Sequence, residues 1–185
     1  ELIMKQISCG ILLINNQNQI LLGHITPTPS NRWTKNKYDI PKGCHDEEET
    51  YLETALRELK EETGLVIDKS DIENIKDIGL HSYNKTKDLY LFIFHDTQNK
   101  YLNSKCLDKL SCSSTFIDPK DGKEYYEIQG FKVFELKDLF IQANDLENSF
   151  LHKSMAFLFK NIKDEILENL TNIPALNKNK SNYKI

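Results

Sequence analysis

Short apolar segments separated by turn-forming residues dominate the first half of the chain. Residues 7–14 and 20–24 are rich in isoleucine and leucine, and the polar run NNQNQ lies between them. This pattern is typical of two strands joined in a hairpin. Residues 78–83 and 89–95 repeat the pattern and predict a second hairpin, and residues 130–136, GFKVFEL, predict a further strand.

Between the two predicted hairpins, the spacing of residues changes from that of strands to that of a helix. Asp46 is suited to be the N-cap of this helix, with Glu49 as its capping-box partner, and Gly64 is suited to end it in a left-handed conformation. These signals predict a helix over residues 47–63. One face is apolar and carries four residues spaced at i, i+3, i+4 and i+7, which are Leu52, Ala55, Leu56 and Leu59.

The rest of the chain predicts one more helical layer and two long loops. Residues 137–140 begin a short helix, and a C-terminal amphipathic helix is indicated by apolar residues at helical spacing, namely Phe150, Met155, Phe157, Leu158, Ile162 and Ile166. The loop at residues 26–37 contains Trp33, either a packing anchor or a stacking surface for a base, and we favour packing. The weakly patterned residues 96–126 are expected to form part of a substrate pocket.

The second face of the predicted helix over residues 47–63 carries three glutamates at i, i+3 and i+4, which are Glu58, Glu61 and Glu62. Like charges at this spacing repel, so the helix needs either solvent or a bound cation to compensate them. Carboxylate oxygens suit Mg²⁺ or Mn²⁺. For a generic run of Glu and Lys, an acidic face exposed to solvent is the more common explanation, and the surrounding residues decide between the two.

Residues 43–65, GCHDEEETYLETALRELKEETGL, fill every specified position of the Nudix box, the signature of the Nudix hydrolases. The nine matching positions within these 23 residues are Gly43, Glu49, Arg57, Glu58, Leu59, Glu61, Glu62, Gly64 and Leu65. The resemblance implies an enzyme that cleaves nucleoside diphosphates linked to another moiety. It also implies an α/β (α+β) fold, namely an α/β/α sandwich with a mixed β-sheet.

The resemblance also implies roles for the matching residues. Glu58, Glu61 and Glu62 match the positions that coordinate one to three divalent cations, and we assign Glu61 and Glu62 as ligands and Glu58 as general base or bridging ligand. Arg57 matches the arginine that orients the glutamates, with Glu53 and Glu61 both in reach four residues away. Glu49 matches the first glutamate of the box, for which bracing of the loop and the helix is as plausible as a direct part in the chemistry, and its capping geometry supports bracing.

Residues outside the helix complete the predicted site. The turn before it supplies a metal-binding carbonyl in this family, matching Lys42 or Gly43 here, and Gly43 also permits close approach to the substrate. A further metal ligand before a late strand matches Glu127, with Glu124 as the rival. The Lys42 side chain is a candidate for binding substrate phosphates. Four aromatic residues are candidates for stacking on a base or for packing, namely Tyr83, Tyr125, Tyr126 and Phe131.

Composition excludes several classes of protein. The chain has 185 residues, of which 39% are hydrophobic and 28% charged, and this is ordinary for one globular domain. Its net charge of −4 provides no positive electrostatic field that would attract the backbone of an extended nucleic acid. No apolar run is long enough to span a membrane, and the four cysteines lack the spacing of zinc sites or disulfide frameworks. We expect a cytoplasmic protein, monomeric or homodimeric, with a Nudix domain over residues 1–145 and a helix and tail over 146–185 packing on it.

The favoured hypothesis is a Mg²⁺- or Mn²⁺-dependent pyrophosphohydrolase acting on a dinucleoside polyphosphate such as diadenosine tetraphosphate. A lysine just before the box, here Lys42, resembles the pattern in hydrolases of such substrates, whose extra phosphates need extra positive charge. Nucleoside triphosphates, ADP-ribose and the 5′ end of RNA stay open as substrates. A module of the same fold that senses a nucleotide without cleaving it is the alternative of another class, but such modules commonly lose box carboxylates and this chain keeps them all.

Overall fold

The computed structural model describes residues 4–170, with the exception of 146 and 148. The strands are β1 Gln6–Asn15, β2 Gln19–Ile25, β3 Tyr38–Asp39, β4 Lys42–Cys44, β5 Lys76–Ser82, β6 Lys87–Asp96, β7 Thr115–Ile117, β8 Glu124–Tyr126 and β9 Ile128–Glu135. The helices are α1 Tyr51–Thr63, α2 Lys69–Ile72, α3 Ser104–Leu107, α4 Leu136–Gln142 and α5 Lys153–Leu170, and Arg32–Thr34 form a 3-10 turn.

Seven of the strands form one mixed sheet. Its central path runs β3-β2-β1-β6-β5, while β4 also pairs with β1 and β9 also pairs with β2. The pairing of β1 with β6 is parallel, and the other pairings are antiparallel. Strands β7 and β8 make a separate two-stranded hairpin. Both predicted hairpins are confirmed, as are the strand over 130–136 and the mixed sheet.

The sheet has a hydrophobic core on each face because alternate side chains of a strand point to opposite sides. On β1, Leu12 and Ile14 pack in one core with Met155 and Phe159 of α5. The opposite core contains Cys9, Ile11 and Leu13 of β1 together with Ala55 and Leu59 of α1. Helices therefore cover both faces, which confirms the α/β/α sandwich. It also explains why residues 7–14 form a continuous apolar run rather than an alternating one.

The described part of the C-terminal region is helical, as its spacing predicts. Met155, Leu158, Ile162 and Ile166 are buried against the sheet, whereas Phe157 faces solvent. The division of the chain at residue 145 stays a prediction, and the tail over 171–185 lies outside the described residues.

The start of α1 differs from the prediction. Thr50 is its N-cap, accepting a hydrogen bond from the Glu53 amide, and the Glu53 carboxylate accepts one from the Thr50 amide. Asp46 instead accepts a hydrogen bond from the Glu48 amide within the preceding loop. Asp46 and Thr50 are each followed three residues later by a glutamate, so both have the spacing of a capping box. The loop after Gly43 continues to Thr50, and the helix begins only at the second of these positions. The predicted end is confirmed, because Gly64 has φ of 79°.

The loop before β3 and the long segment after β6 are tied to each other. Ser30 donates two hydrogen bonds, through its amide and its hydroxyl, to the buried carboxylate of Asp118 in the β7–β8 turn, each at 3.0 Å. Trp33 is 59% exposed, so the preference for a packing role is wrong. Its ring makes one tilted contact with the ring of His152, with a centroid distance of 5.1 Å.

Candidate active site

Strand β4 places its glycine directly beneath a carboxylate of α1. A Cβ atom built on Gly43 would lie 2.0 Å from the Cδ of Glu58, so the carboxyl group of Glu58 occupies the space that a side chain at position 43 would fill. Gly43 pairs with Cys9 of β1, which fixes this backbone in the sheet. A residue larger than glycine would therefore displace Glu58.

Arg57 connects the loop before α1 to two of the box glutamates. Its Nε and Nη2 donate to the two carboxylate oxygens of Glu49 at 2.8 and 3.2 Å. Its Nη1 donates to Glu58 at 2.7 Å and to Glu61 at 3.2 Å, and Nη2 also donates to the carbonyl of Cys44 at 3.3 Å. The contact with Glu61 is the one expected. The bidentate contact with Glu49 also fixes the orientation of the guanidinium group.

Glu49 supports this arrangement from the loop. In addition to binding Arg57, its Oε2 accepts a hydrogen bond from the Thr54 hydroxyl at 2.7 Å, and these hydrogen bonds lower its pKa. Thr54 also contacts the Nδ1 of His45 at 3.1 Å. The bracing role predicted for Glu49 is confirmed. Glu53, the other predicted partner of Arg57, is held in the capping box instead.

Glu62 contacts the residue of β4 that precedes Gly43. It is 5% exposed, and its Oε2 accepts a hydrogen bond from the backbone amide of Lys42 at 3.1 Å. Gly43 and Lys42 are neighbours, so Glu58 and Glu62 converge on one short piece of β4. Helical spacing predicted that these glutamates share one face of the helix, and the resemblance to the Nudix box implied that the turn before it belongs to the same site.

Glu127 lies close enough to both carboxylates for its charge to raise the pKa of Glu58 and of Glu62. It follows β8 directly, and its backbone amide donates to the carbonyl of Ser114. The carboxylate of Glu124 accepts a hydrogen bond from Thr115 within the β7–β8 hairpin. Of the two late glutamates, the structure brings Glu127 to the site.

The electrostatics of this cluster favour a cation. Burial raises the pKa of Glu58 and raises the pKa of Glu62 well above its ordinary value. Six carboxylates interact here with two cationic side chains, which leaves a formal excess of four negative charges. The carboxylates are those of Asp39, Glu49, Glu58, Glu61, Glu62 and Glu127, and the cationic side chains are Lys42 and Arg57. Oxygen donors with uncompensated negative charge fit Mg²⁺ or Mn²⁺.

The carboxylates are held by the protein itself in this arrangement. Glu58 and Glu61 contact Arg57, and Glu62 contacts the amide of Lys42. Across the residues that the structure describes, no three His, Cys, Asp or Glu side chains already stand together in the geometry of a metal site. Cation binding would therefore have to draw these side chains together.

Two predicted substrate contacts need correction. Tyr83 is 5% exposed and its hydroxyl donates to Asp39 at 2.8 Å, so its ring is part of the core and is not a stacking surface. The ammonium of Lys42 forms an ion pair with Asp39 at 3.0 Å and lies over the Tyr83 ring. It points into the protein, where it is unavailable for additional phosphates. Asp39, the residue that decides this, was missed because a single Asp outside any recognised motif carries no sequence signal.

Two cavities lie at the two ends of α1. The first, which we call the aromatic cavity, has a volume of about 560 Å³ and is lined in part by Leu110, Cys112, Tyr125, Tyr126, Gln129 and Phe131. Burial raises the pKa of Cys112, and the charges of Glu62 and Glu127 contribute to the same shift, so both carboxylates act on a thiol that lines this cavity. The second, the box-loop cavity, has a volume of about 850 Å³ and is lined in part by Cys44, His45, Arg57 and Glu58.

Comparison with known proteins agrees with this fold and site. The model of the NUDIX domain matches residues 4–152. An uncharacterized 17.7 kDa protein of Enterobacteria phage T4 is 30% identical over 134 residues, covering 72% of this chain and 84% of that protein. An RNA pyrophosphohydrolase of Pelagibacter ubique is 35% identical over 81 residues, covering 43% of this chain and 46% of that protein.

Among solved structures, the NUDIX domain of Shewanella oneidensis NrtR in complex with ADP ribose has a TM-score of 0.55 at 14% identity, covering 88% of each chain. The chain belongs to the Nudix family. It is a hydrolase that acts on pyrophosphate bonds. In residues 4–170 apart from 146 and 148, no helix has both the length and the apolar character needed to cross a membrane.

Proposed function

We propose that this chain is a Mg²⁺- or Mn²⁺-dependent pyrophosphohydrolase that cleaves a nucleoside diphosphate linked to another moiety, with dinucleoside polyphosphates such as diadenosine tetraphosphate as its first substrate class. One observation carries the activity. The buried carboxylates of Glu58 and Glu62 lie against the backbone of Gly43 and Lys42, and the charge of Glu127 acts on both of them.

Each residue of the site has a proposed role in the reaction. Glu58, Glu61, Glu62, Glu127 and the carbonyl of Lys42 would hold the cations. A bound divalent cation neutralises phosphate oxygens and lowers the pKa of a water molecule. Burial raises the pKa of Glu58, which brings its carboxylate closer to the range in which a general base accepts a proton from the attacking water. Arg57 keeps Glu58 and Glu61 oriented.

The two cavities support a substrate with a group at each end of its phosphate chain. The aromatic cavity adjoins the end of α1, where Ser111 and Ser113 donate to the carbonyls of Thr63 and Glu61. The box-loop cavity adjoins the loop before α1. A phosphate chain crossing the carboxylates has room for a nucleoside in the aromatic cavity and for a second group beyond it.

A second candidate substrate is the 5′ end of RNA, because one relative is named an RNA pyrophosphohydrolase. Here the aromatic cavity would hold the terminal base. Tyr125, Tyr126 and Phe131 line it, and aromatic rings suit stacking on bases. ADP-ribose and nucleoside triphosphates are tested beside these two. Cytoplasmic location, the monomeric or homodimeric state and the absence of extended nucleic-acid binding stay predictions from the sequence.

The test is chromatography of the products after incubation with Mg²⁺ or Mn²⁺, and then with a chelator, using the four substrate classes in parallel. Glu62→Gln should abolish cleavage, whereas Glu73→Gln should not, because Glu73 is an exposed residue that lines a different cavity. Preference for diadenosine tetraphosphate would support the first proposal. Saturable nucleotide binding without cleavage of any substrate would overturn it in favour of a sensor.

A further inference from the structure

Asp39 is a buried carboxylate beside the candidate site, and three groups bind it. It is 4% exposed; its Oδ1 accepts a hydrogen bond from the Ile40 amide at 2.7 Å, and its Oδ2 accepts one from the Tyr83 hydroxyl at 2.8 Å. Oδ2 also forms the ion pair with Lys42 at 3.0 Å. The Nδ1 of His152 lies 3.1 Å from the Tyr83 hydroxyl.

Lys42 lies between this carboxylate and a box carboxylate. Its backbone amide binds Glu62, and its side chain, 17% exposed, binds Asp39. Burial by itself lowers the pKa of Lys42, but Asp39, and behind it Tyr83 and Glu62, raise it above the ordinary value. The ammonium therefore interacts with both carboxylates, and Asp39 holds it.

The backbone of this turn leaves Lys42 little freedom to move. A Cβ atom on Gly10 of β1 would lie 2.8 Å from the carbonyl oxygen of Pro41 and 3.0 Å from the Cβ of Lys42. The turn thus packs directly on β1, and Lys42 pairs with Gly10 in the sheet. Since the backbone is fixed, the direction of the ammonium depends on its side-chain partners.

We propose that Asp39 is a positioning residue that holds the Lys42 ammonium away from Glu62 and so keeps the Glu62 carboxylate available to a divalent cation. Tyr83 serves the same purpose by fixing Asp39. This inference rests on the proposed function. Without the negative charge of Asp39, the ammonium is left to interact with Glu62, whose charge already acts on it, and competes with the cation for that carboxylate.

Binding of Mn²⁺ alone, followed by electron paramagnetic resonance or calorimetry, tests this without substrate. Asp39→Asn should weaken Mn²⁺ binding by about tenfold or more, the usual effect of residues that orient metal ligands. Tyr83→Phe should weaken it by a smaller factor. Adding Lys42→Met to Asp39→Asn should restore binding to within about threefold of the unaltered protein, because the competing cation is gone while the Lys42 carbonyl remains.

A matched control separates this role from general loss of stability. Asp96 is also a buried carboxylate, accepting hydrogen bonds from the Lys100 and Tyr101 amides away from the site. Asp96→Asn should lower the melting temperature and leave Mn²⁺ affinity unchanged.

Failure to restore binding in the double variant would overturn the proposal, as would unchanged affinity in Asp39→Asn. If Asp39→Asn does not fold, Tyr83→Phe decides by the same measurement. Absence of saturable Mn²⁺ binding in the unaltered chain would instead refute the proposed function and this inference with it.

Discussion

Replacing Gly43 by alanine would displace the Glu58 carboxylate without removing any charge. The added Cβ would lie 2.0 Å from the Cδ of Glu58, whereas carbon atoms in contact are about 3.5 Å apart or more. The carboxylate therefore has to retreat by about 1.5 Å. Gly43 has no positive φ, so its own backbone tolerates alanine.

The expected cost falls on activity rather than on stability. The atoms that must move are the far end of the Glu58 side chain rather than backbone, so the free energy of unfolding should fall by only about 1 kcal/mol, the low end for overpacking. A catalytic group misplaced by about 1 Å costs on the order of a hundredfold in rate, or about 2.7 kcal/mol. Steady-state kinetics with saturating Mg²⁺ measures the rate, and chemical denaturation measures the stability.

Gly130→Ala is the stability control, since its new Cβ would come no closer than 3.9 Å to another residue. Activity within about threefold of the unaltered protein in Gly43→Ala would refute the reasoning, because Glu58 would then have no role that depends on its position. A loss of activity explained entirely by unfolding would refute it as well.

Three further predictions concern the cap, the buried carboxylates and the hairpin. Thr50→Ala should lower the free energy of unfolding by about 1 kcal/mol, whereas Asp46→Ala should cost less than about 0.5 kcal/mol. Because burial raises the pKa of Glu62 in the folded protein, the metal-free protein loses stability as pH rises from the ordinary glutamate pKa through that raised value. Calorimetry with chelator should therefore show Glu62→Gln melting above the unaltered protein at about pH 8, with a smaller difference at about pH 5. Asp118→Asn, which weakens the attachment of Ser30 to the hairpin, should raise KM for the nucleotide by about tenfold and change kcat less.

The two ends of α1 show where prediction from the sequence succeeded and where it failed. Gly64 ends α1 as predicted because a left-handed residue is a local requirement that only glycine meets easily. The start was misplaced by a few residues because Asp46 and Thr50 satisfy the same local rule equally well. Choosing between them requires knowing that Arg57 reaches back to Glu49 in the loop.

Local periodicity by itself determined the strands of both hairpins, the box helix with its apolar and acidic faces, and the grouping of Glu58, Glu61 and Glu62. These depend on residues a few positions apart, whose geometry is fixed by the backbone conformation. Only the tertiary structure decided that Tyr83 is buried, that Lys42 is paired with Asp39 and that Glu127 rather than Glu124 joins the site. Each of these outcomes depends on contacts between elements distant in sequence, and the charge and burial of a side chain are set by those neighbours.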